Sequence, residues 1–399
     1  MRRPTIAVLT AVTALSLSSV GLAATASAAP WDTGLQHRNV PVCADAPAGA
    51  ASCDAIRHDK VDRNGKPVPP ATTPAGYGPA DIRSAYGLTA AAGGGKTVAI
   101  VDAYDAPSAE ADLATYRKQF GLPACAANDG CFTKVNQNGM ASPLPKANGG
   151  WAQEISLDLD MVSATCPDCS ILLVEADSAS FADLAAAVDT AARLGAVAIS
   201  NSYGGSDLGT PTVLASYQHE GIAITASTGD AGYGVEAPAS FPTVIGVGGT
   251  SLKKASSTRG WTETAWSGAG SGCSTLNSEL WQDNTVTGCT TKATADVSAV
   301  ADPNTGVAVY DSYAYQGTKG WLVFGGTSAS SPIIASVYAM GPSVGTTPYP
   351  AAHTWVSTTG LNDVVSGSNG TCTTAVWCTA GTGWDGPTGL GTPRGTSAF

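Results

Sequence analysis

Apolar residues in this chain come in short unbroken runs rather than in strict alternation, and most of these runs lead into stretches with helical spacing. Lys96 to Asp102, Ser170 to Glu175, Ala196 to Ser200, Ile222 to Thr225 and Val244 to Gly248 read as strands buried on both faces. Pro107 to Phe120, Phe181 to Leu194 and Pro211 to Glu220 read as the intervening helices. A further helix is expected between Gly149 and Thr165. Another is expected from Ser330, with Pro332 in its first turn, where a missing N–H costs little. Strand–helix alternation of this kind predicts a mostly parallel, doubly wound α/β sheet with its site at the carboxyl ends of the strands. Residues 251–291 and 310–321 read as hairpins and loops near that end.

Four polar positions stand out from this apolar background. Glu154 and Asp158 are four residues apart on the expected helix, which puts both carboxyls on one face, one turn apart. Such a pair is ordinarily a solvated face. Here Trp151, Ile155, Leu157, Leu159 and Met161 leave little of the helix polar, and a buried pair would hold a proton above the usual carboxylate range. Asp230 follows a strand between Gly229 and Gly232; it reads as a turn residue or, protonated, as a donor to a developing oxyanion. Ser328, in Phe324-Gly-Gly-Thr-Ser-Ala-Ser-Ser-Pro332, is displayed at a small-residue turn running into a helix, as a nucleophile is.

Composition narrows the class. With 43% hydrophobic and 13% charged residues the chain can bury a large core, and a net charge of −11 excludes nucleic acid and anionic membranes as natural partners. Residues 1–28 read as an export signal: Arg2 and Arg3, an apolar run from Ile6 to Leu22, and the small-residue pattern Ala26-Ser-Ala28. A membrane anchor is the alternative for that run. Removal of the signal predicts a secreted, extracellular protein without a membrane span, and monomer is the default state. Ten cysteines in an exported chain predict five local disulfides, Cys43–Cys53, Cys125–Cys131, Cys166–Cys169, Cys273–Cys289 and Cys372–Cys378. Cys166-Pro-Asp-Cys169 has a redox or metal reading, but no second matching pair exists. Residues 29–77 lack periodicity and read as an extended arm or short leader, with the globular domain spanning 78–399.

Five segments taken together carry a resemblance. Glu154-x-x-x-Asp158, Ser200-Asn-Ser-Tyr-Gly204, Ser227-Thr-Gly-Asp230-x-Gly, Phe241-Pro with Val247-Gly-Gly-Thr250, and Gly326-Thr-Ser328-x-Ser resemble the sedolisin family of serine-carboxyl peptidases in order and spacing. The resemblance covers residues 78–399. It implies a subtilisin-like three-layer α/β fold and acid-acting hydrolysis of polypeptide substrates. It further implies Ser328 as nucleophile, Glu154 as general base, Asp158 as its partner and Asp230 as oxyanion donor, with Ser202, Tyr203 and Gly204 along the substrate backbone. It also implies one Ca²⁺ held by Asp363, the carbonyls of Val364, Gly381 and Gly383, and Asp385; an all-oxygen shell with two acids suits that ion.

Two departures from the family pattern matter. Position 325 is Gly where the family usually has Ser, and the short stretch 29–77 stands where the family generally carries a long folded prosegment, so zymogen control is expected to be absent or supplied by the arm. Two other readings stay open on sequence. One is a triad of Asp102 with one of the histidines His37, His58, His219 or His353; the other is a non-catalytic secreted binding module on the same scaffold.

Overall fold

The computed structural model describes Met1 and residues 36–68, 72–278 and 281–399. Apart from Met1, the expected export signal lies outside the described residues. The expected strands assemble into one eight-stranded sheet. Its order is Trp261–Ala265, Ile245–Lys254, Ala223–Ser227, Ala198–Asn201, Thr97–Ala103, Ser170–Ala176, Phe132–Asn136, with Val297–Val300 beside Ile245–Lys254. Every pairing is parallel except that of Trp261–Ala265 with Ile245–Lys254. Strands such as Thr97–Ala103 are buried along almost their whole length, which is why they read as apolar runs and not as alternations. The helices Gly149–Thr165 and Thr327–Met340 pack on each other and on this sheet, while Phe181–Arg193 packs against Thr97–Ala103 and Ser170–Ala176.

The N-terminal arm is part of this architecture. Gln36–Pro41 pairs with Ile56–Val61, which pairs in turn with Thr318–Gly325 of the hairpin made with Val307–Tyr315. The short strand Ser52–Cys53 adds to Tyr203–Ser206. Sheet pairing therefore crosses the boundary expected at residue 77. All five expected disulfides are formed. The bridge between Cys166 and Cys169 removes the metal and free-dithiol readings of that pair. No helix among the described residues is long and apolar enough to cross a membrane.

Candidate active site

The helix Gly149–Thr165 starts where Asn148 accepts hydrogen bonds from the backbone N–H groups of Gly150 and Trp151. Gly150 is there for space: a Cβ on it would meet the Val42 carbonyl of the arm at 2.4 Å. Covered by the arm, the sheet and the neighbouring helix, residues 150–165 are all buried, so the solvated-face reading of Glu154 and Asp158 fails. Both acids are fully buried one turn apart. Burial, and then the charge of Asp158, hold Glu154 well above the usual carboxylate range; burial does the same to Asp158. Glu154 Oε1 and Asp158 Oδ2 are both buried without a hydrogen-bond partner, and a proton held by one carboxyl and offered to the other would relieve both.

Ser328 lies on the second helix, and here the structure corrects the sequence. The helix begins at Thr327, so Ser328 is in its first turn and Pro332 is inside it, one turn later than expected. A proline there cannot donate to the carbonyl four residues back, and that carbonyl belongs to Ser328. Ser202 Oγ supplies the missing contact at 3.3 Å and also lies 2.9 Å from Asp158 Oδ1. Ser202 is the donor in both contacts and has one proton, which it divides between the Ser328 carbonyl and Asp158 Oδ1. Ser328 Oγ donates to Glu154 Oε2 at 2.9 Å and lies 3.2 Å from the Ser202 carbonyl.

Asp230 completes the group. Its Oδ1 accepts the Thr327 N–H at 2.7 Å and the Thr327 hydroxyl at 2.8 Å. Its Oδ2 is buried without a partner, and burial followed by the charge of Asp54 holds its proton well above the usual range. A Cβ on Gly326 would meet Asp230 Oδ2 at 2.5 Å. Glycine at 325 also has a steric reason, since a Cβ there would meet the Ala301 carbonyl and the Pro303 nitrogen at 2.3 Å. Ser202 and Gly204 present backbone to the cleft. Tyr203 does so through its main chain only, because its ring is buried and its hydroxyl bonds Asn201 and Tyr217.

No histidine among the described residues reaches Ser328. His219 pairs with Asp189 at 3.1 Å, His37 stacks on His58 in the arm, and His353 is on the short helix Ala352–Val356. Two further acids stand near this group. Asp102, considered from sequence only as the partner of a histidine, is fully buried with both oxygens unpartnered, and burial followed by the charges of Asp158 and Glu175 holds its carboxyl well above the usual range. Asp54, from the arm, offers its carbonyl to the Ser328 N–H at 3.3 Å. The signal available for Asp54 was its place next to Cys53 in a disulfide loop.

At the C-terminal end the loops bearing Asp363, Val364, Gly381, Gly383 and Asp385 come together. Asp363 Oδ2 accepts the Gly383 N–H at 2.9 Å, and Asp385 Oδ2 accepts the Gly381 N–H at 3.1 Å. Burial, reinforced by the neighbouring Asp363, pushes Asp385 up to about 7. Neither acid is paired with a basic side chain among the described residues. Two facing carboxyls without a counter-charge fit a cation that prefers oxygen.

The mostly parallel sheet with flanking helices is that of the subtilisin-like α/β class. No family model matches the chain. It is 28% identical over 373 residues to kumamolisin of Bacillus sp. (strain MN-32), across 81% of this chain and 63% of that protein. It is 34% identical over 176 residues to sedolisin of Pseudomonas sp. (strain 101), across 40% of this chain and 29% of that protein. Among solved structures, Pseudomonas sedolisin, a serine-carboxyl proteinase complexed with two molecules of pseudo-iodotyrostatin, aligns with a TM-score of 0.65 and 26% identity. That alignment covers 81% of this chain and 96% of the other. The chain is thus similar in sequence to both curated proteins and shares the fold of the serine-carboxyl proteinase. It spans less than two thirds of the length of either curated relative.

Proposed function

We propose that this protein is a secreted, acid-acting serine-carboxyl peptidase. The observation that carries the reading is the 2.9 Å hydrogen bond from Ser328 Oγ to Glu154 Oε2, in a buried site where the base is a carboxyl and its partner is another. Ser328 attacks the peptide carbonyl carbon while Glu154 takes its proton. Asp158 keeps the second proton of the pair and holds Glu154 in place. The Ser328 N–H and a protonated Asp230 Oδ2 flank the oxygen that becomes negative. Glu154 then returns its proton to the leaving amine, and water repeats the sequence on the acyl ester.

The electrostatics set a condition on the working range. The base must be ionised while Asp158 and Asp230 are protonated, and with no cation in the group only the singly protonated pair is competent. Proteolysis of denatured protein by the purified chain is expected to peak between about pH 3 and 5 and to vanish in Ser328→Ala. A neutral or alkaline optimum contradicts the carboxyl base, and activity surviving in Ser328→Ala contradicts the nucleophile. Five disulfides suit an oxidising, extracellular setting, and residues 1–28 supply the export signal.

Asp363 and Asp385, with the carbonyls of Val364, Gly381 and Gly383, would hold one Ca²⁺, which joins two acidic loops that otherwise repel. Adding EDTA to calcium-loaded protein is expected to lower Tm, with recovery on adding Ca²⁺ but not Mg²⁺. An unchanged Tm contradicts a structural ion.

A further inference from the structure

The hairpin of Val307–Tyr315 and Thr318–Gly325 runs directly into Gly326 and the helix that carries Ser328. Val307–Tyr315 is an edge strand, since its sheet ends on it. The N–H groups on its open side are nevertheless all taken. Ala308 donates to the Tyr77 carbonyl, Tyr310 to Asp160 Oδ2 at 2.9 Å and Ser312 to Asp112 Oδ2 at 2.9 Å, every second residue, as the outer edge of an antiparallel strand requires. Beyond that point the register shifts: Asp311 faces Gly320 and Tyr315 faces Thr318, so residues 312–314 bulge. Inside the bulge Asp311 Oδ1 accepts the Tyr313 N–H at 3.1 Å. Asp160 belongs to the helix of Glu154 and Asp158, Asp112 to the helix Ala109–Gln119, and both helices pack on the strand. Three carboxyls thus fasten the helix of Glu154 to the hairpin that leads to Ser328.

No opposite charge closes this group. All three acids are buried, and no ion pair among the described residues includes any of them. Arg117 acts on Asp160, but less than either Asp112 or Asp311 does, and its guanidinium donates instead to Ser163 and to the carbonyls of Pro123 and Pro167. Arg83 donates to the Ala164 carbonyl, and Arg57 to Asp59 and Gln153. Burial holds the proton of Tyr116, the remaining titratable neighbour. Gln153 and Ser156, on the helix of Glu154, face Asp311, and both Ser156 Oγ and Asp311 Oδ2 are buried without a hydrogen-bond partner. Burial, with the charges of Asp112 and Asp311 adding to it, holds Asp160 well above the usual carboxylate range, and burial pushes Asp311 up to about 7. In acid the bulge is therefore held by neutral carboxyls, and a proton on Asp311 Oδ2 has Ser156 Oγ to meet.

We propose that Asp112, Asp160 and Asp311 are positioning residues for Ser328: in acid they clasp the hairpin 307–325 to the helix of Glu154, and their ionisation releases the hairpin while the central sheet stays folded. Asp160 and Asp311 bind their protons more tightly folded than unfolded. Their hold is complete below the unfolded carboxyl value, near pH 4, and is lost as pH rises through about 7. Release lets the segment that places Ser328 move away from Glu154. The chain is then turned off near neutral pH by a structural step separate from ionisation of the Glu154–Asp158 pair. The effect on activity rests on the peptidase reading above; the opening of the hairpin does not.

Hydrogen exchange read by mass spectrometry tests the clasp, on the full chain carrying Ser328→Ala so that no cleavage intervenes, at about pH 4, 6 and 8. Corrected for the pH dependence of intrinsic exchange, protection of residues 307–325 is expected to fall about tenfold or more across that range, ahead of Thr97–Ala103 and Ser170–Ala176. Asp160→Asn combined with Asp311→Asn keeps the acceptors and cannot ionise at those positions, so its hairpin is expected to stay protected. Asp311→Asn alone should delay the opening to a smaller extent. With Ser328 restored, the double variant should keep its hydrolysis of denatured protein after holding at about pH 8, where the parent loses it. A hairpin equally protected across the range, or one that opens only together with the central sheet, overturns the inference whatever the variants do. So does a double variant that opens like the parent, or an opening that leaves hydrolysis unchanged. Absence of hydrolysis from every chain removes the peptidase reading and the effect on activity, while exchange still decides the clasp.

Discussion

Two pairs in this molecule have the same four-residue spacing and the same complete burial, and opposite chemistry. Lys292 and Asp296 form an ion pair at 2.9 Å with neither side chain exposed. Asp296 also accepts bonds from the Gly246 N–H and the Gln282 amide, both at 2.9 Å, and Lys292 donates to the carbonyls of Ala293 and Thr294. Every charge there has an opposite charge and a hydrogen bond. Glu154 and Asp158 have no cation and keep one buried oxygen each without a partner. A buried acid beside a lysine is fixed charge that holds structure. A buried acid beside another acid must carry a proton, and a proton held in common can be moved.

The largest effect separating the two pairs is on rate. Glu154→Gln should lower kcat by about 10²–10⁴-fold, because the base is lost while the amide imitates the protonated acid and keeps the fold. Thermal unfolding of the variant should match the parent; a large fall in Tm would make Glu154 a structural residue. Asp230→Asn retains a donor of different geometry and should cost less, up to about 10²–10³-fold in kcat, with KM nearly unchanged. Lys292→Met should do the reverse. It leaves Asp296 buried without its cation and should cost roughly 3–5 kcal/mol in urea unfolding, with kcat of the folded fraction unchanged.

A smaller effect distinguishes proton-carrying acids from fixed charges across the whole chain. Burial pushes Asp54 and Asp311 up to about 7 and Glu236 to about 9, so each binds its proton more tightly folded than unfolded. Their contribution to stability is complete below the unfolded carboxyl values, near pH 4, and is lost as pH rises through about 7 to 9. Calorimetry should therefore give a higher Tm near pH 4 than near pH 8. A Tm that rises over that interval contradicts the assignment.

Much of this was legible in the sequence because it depends on short-range pattern. Apolar runs such as Thr97–Ala103 announce strands covered on both faces, and an acid pair at helical spacing among Trp151, Ile155 and Leu157 announces burial. Cysteines close in sequence announced their bridges. What was not legible depends on contacts between distant segments. Pro332 was assigned to a first turn because local rules favour it there, and only the Ser202 hydroxyl, far away in sequence, shows how the Ser328 carbonyl is satisfied one turn further in. Residues 36–61 have no periodicity of their own, since their strands are short and borrow their partners from residues 203–206 and 318–325. The place of Asp54 beside Ser328 follows from that tertiary placement.

The central claim is that Glu154 and Asp158 share one proton, and the pH dependence of kcat/KM for the parent chain and Asp158→Asn tests it most directly. The account predicts an acidic optimum in the parent, falling as the shared proton is lost, and a falling limb displaced to higher pH in the variant, where no second carboxyl remains to ionise. A parent optimum at neutral or alkaline pH, or a falling limb unmoved by the substitution, would contradict it.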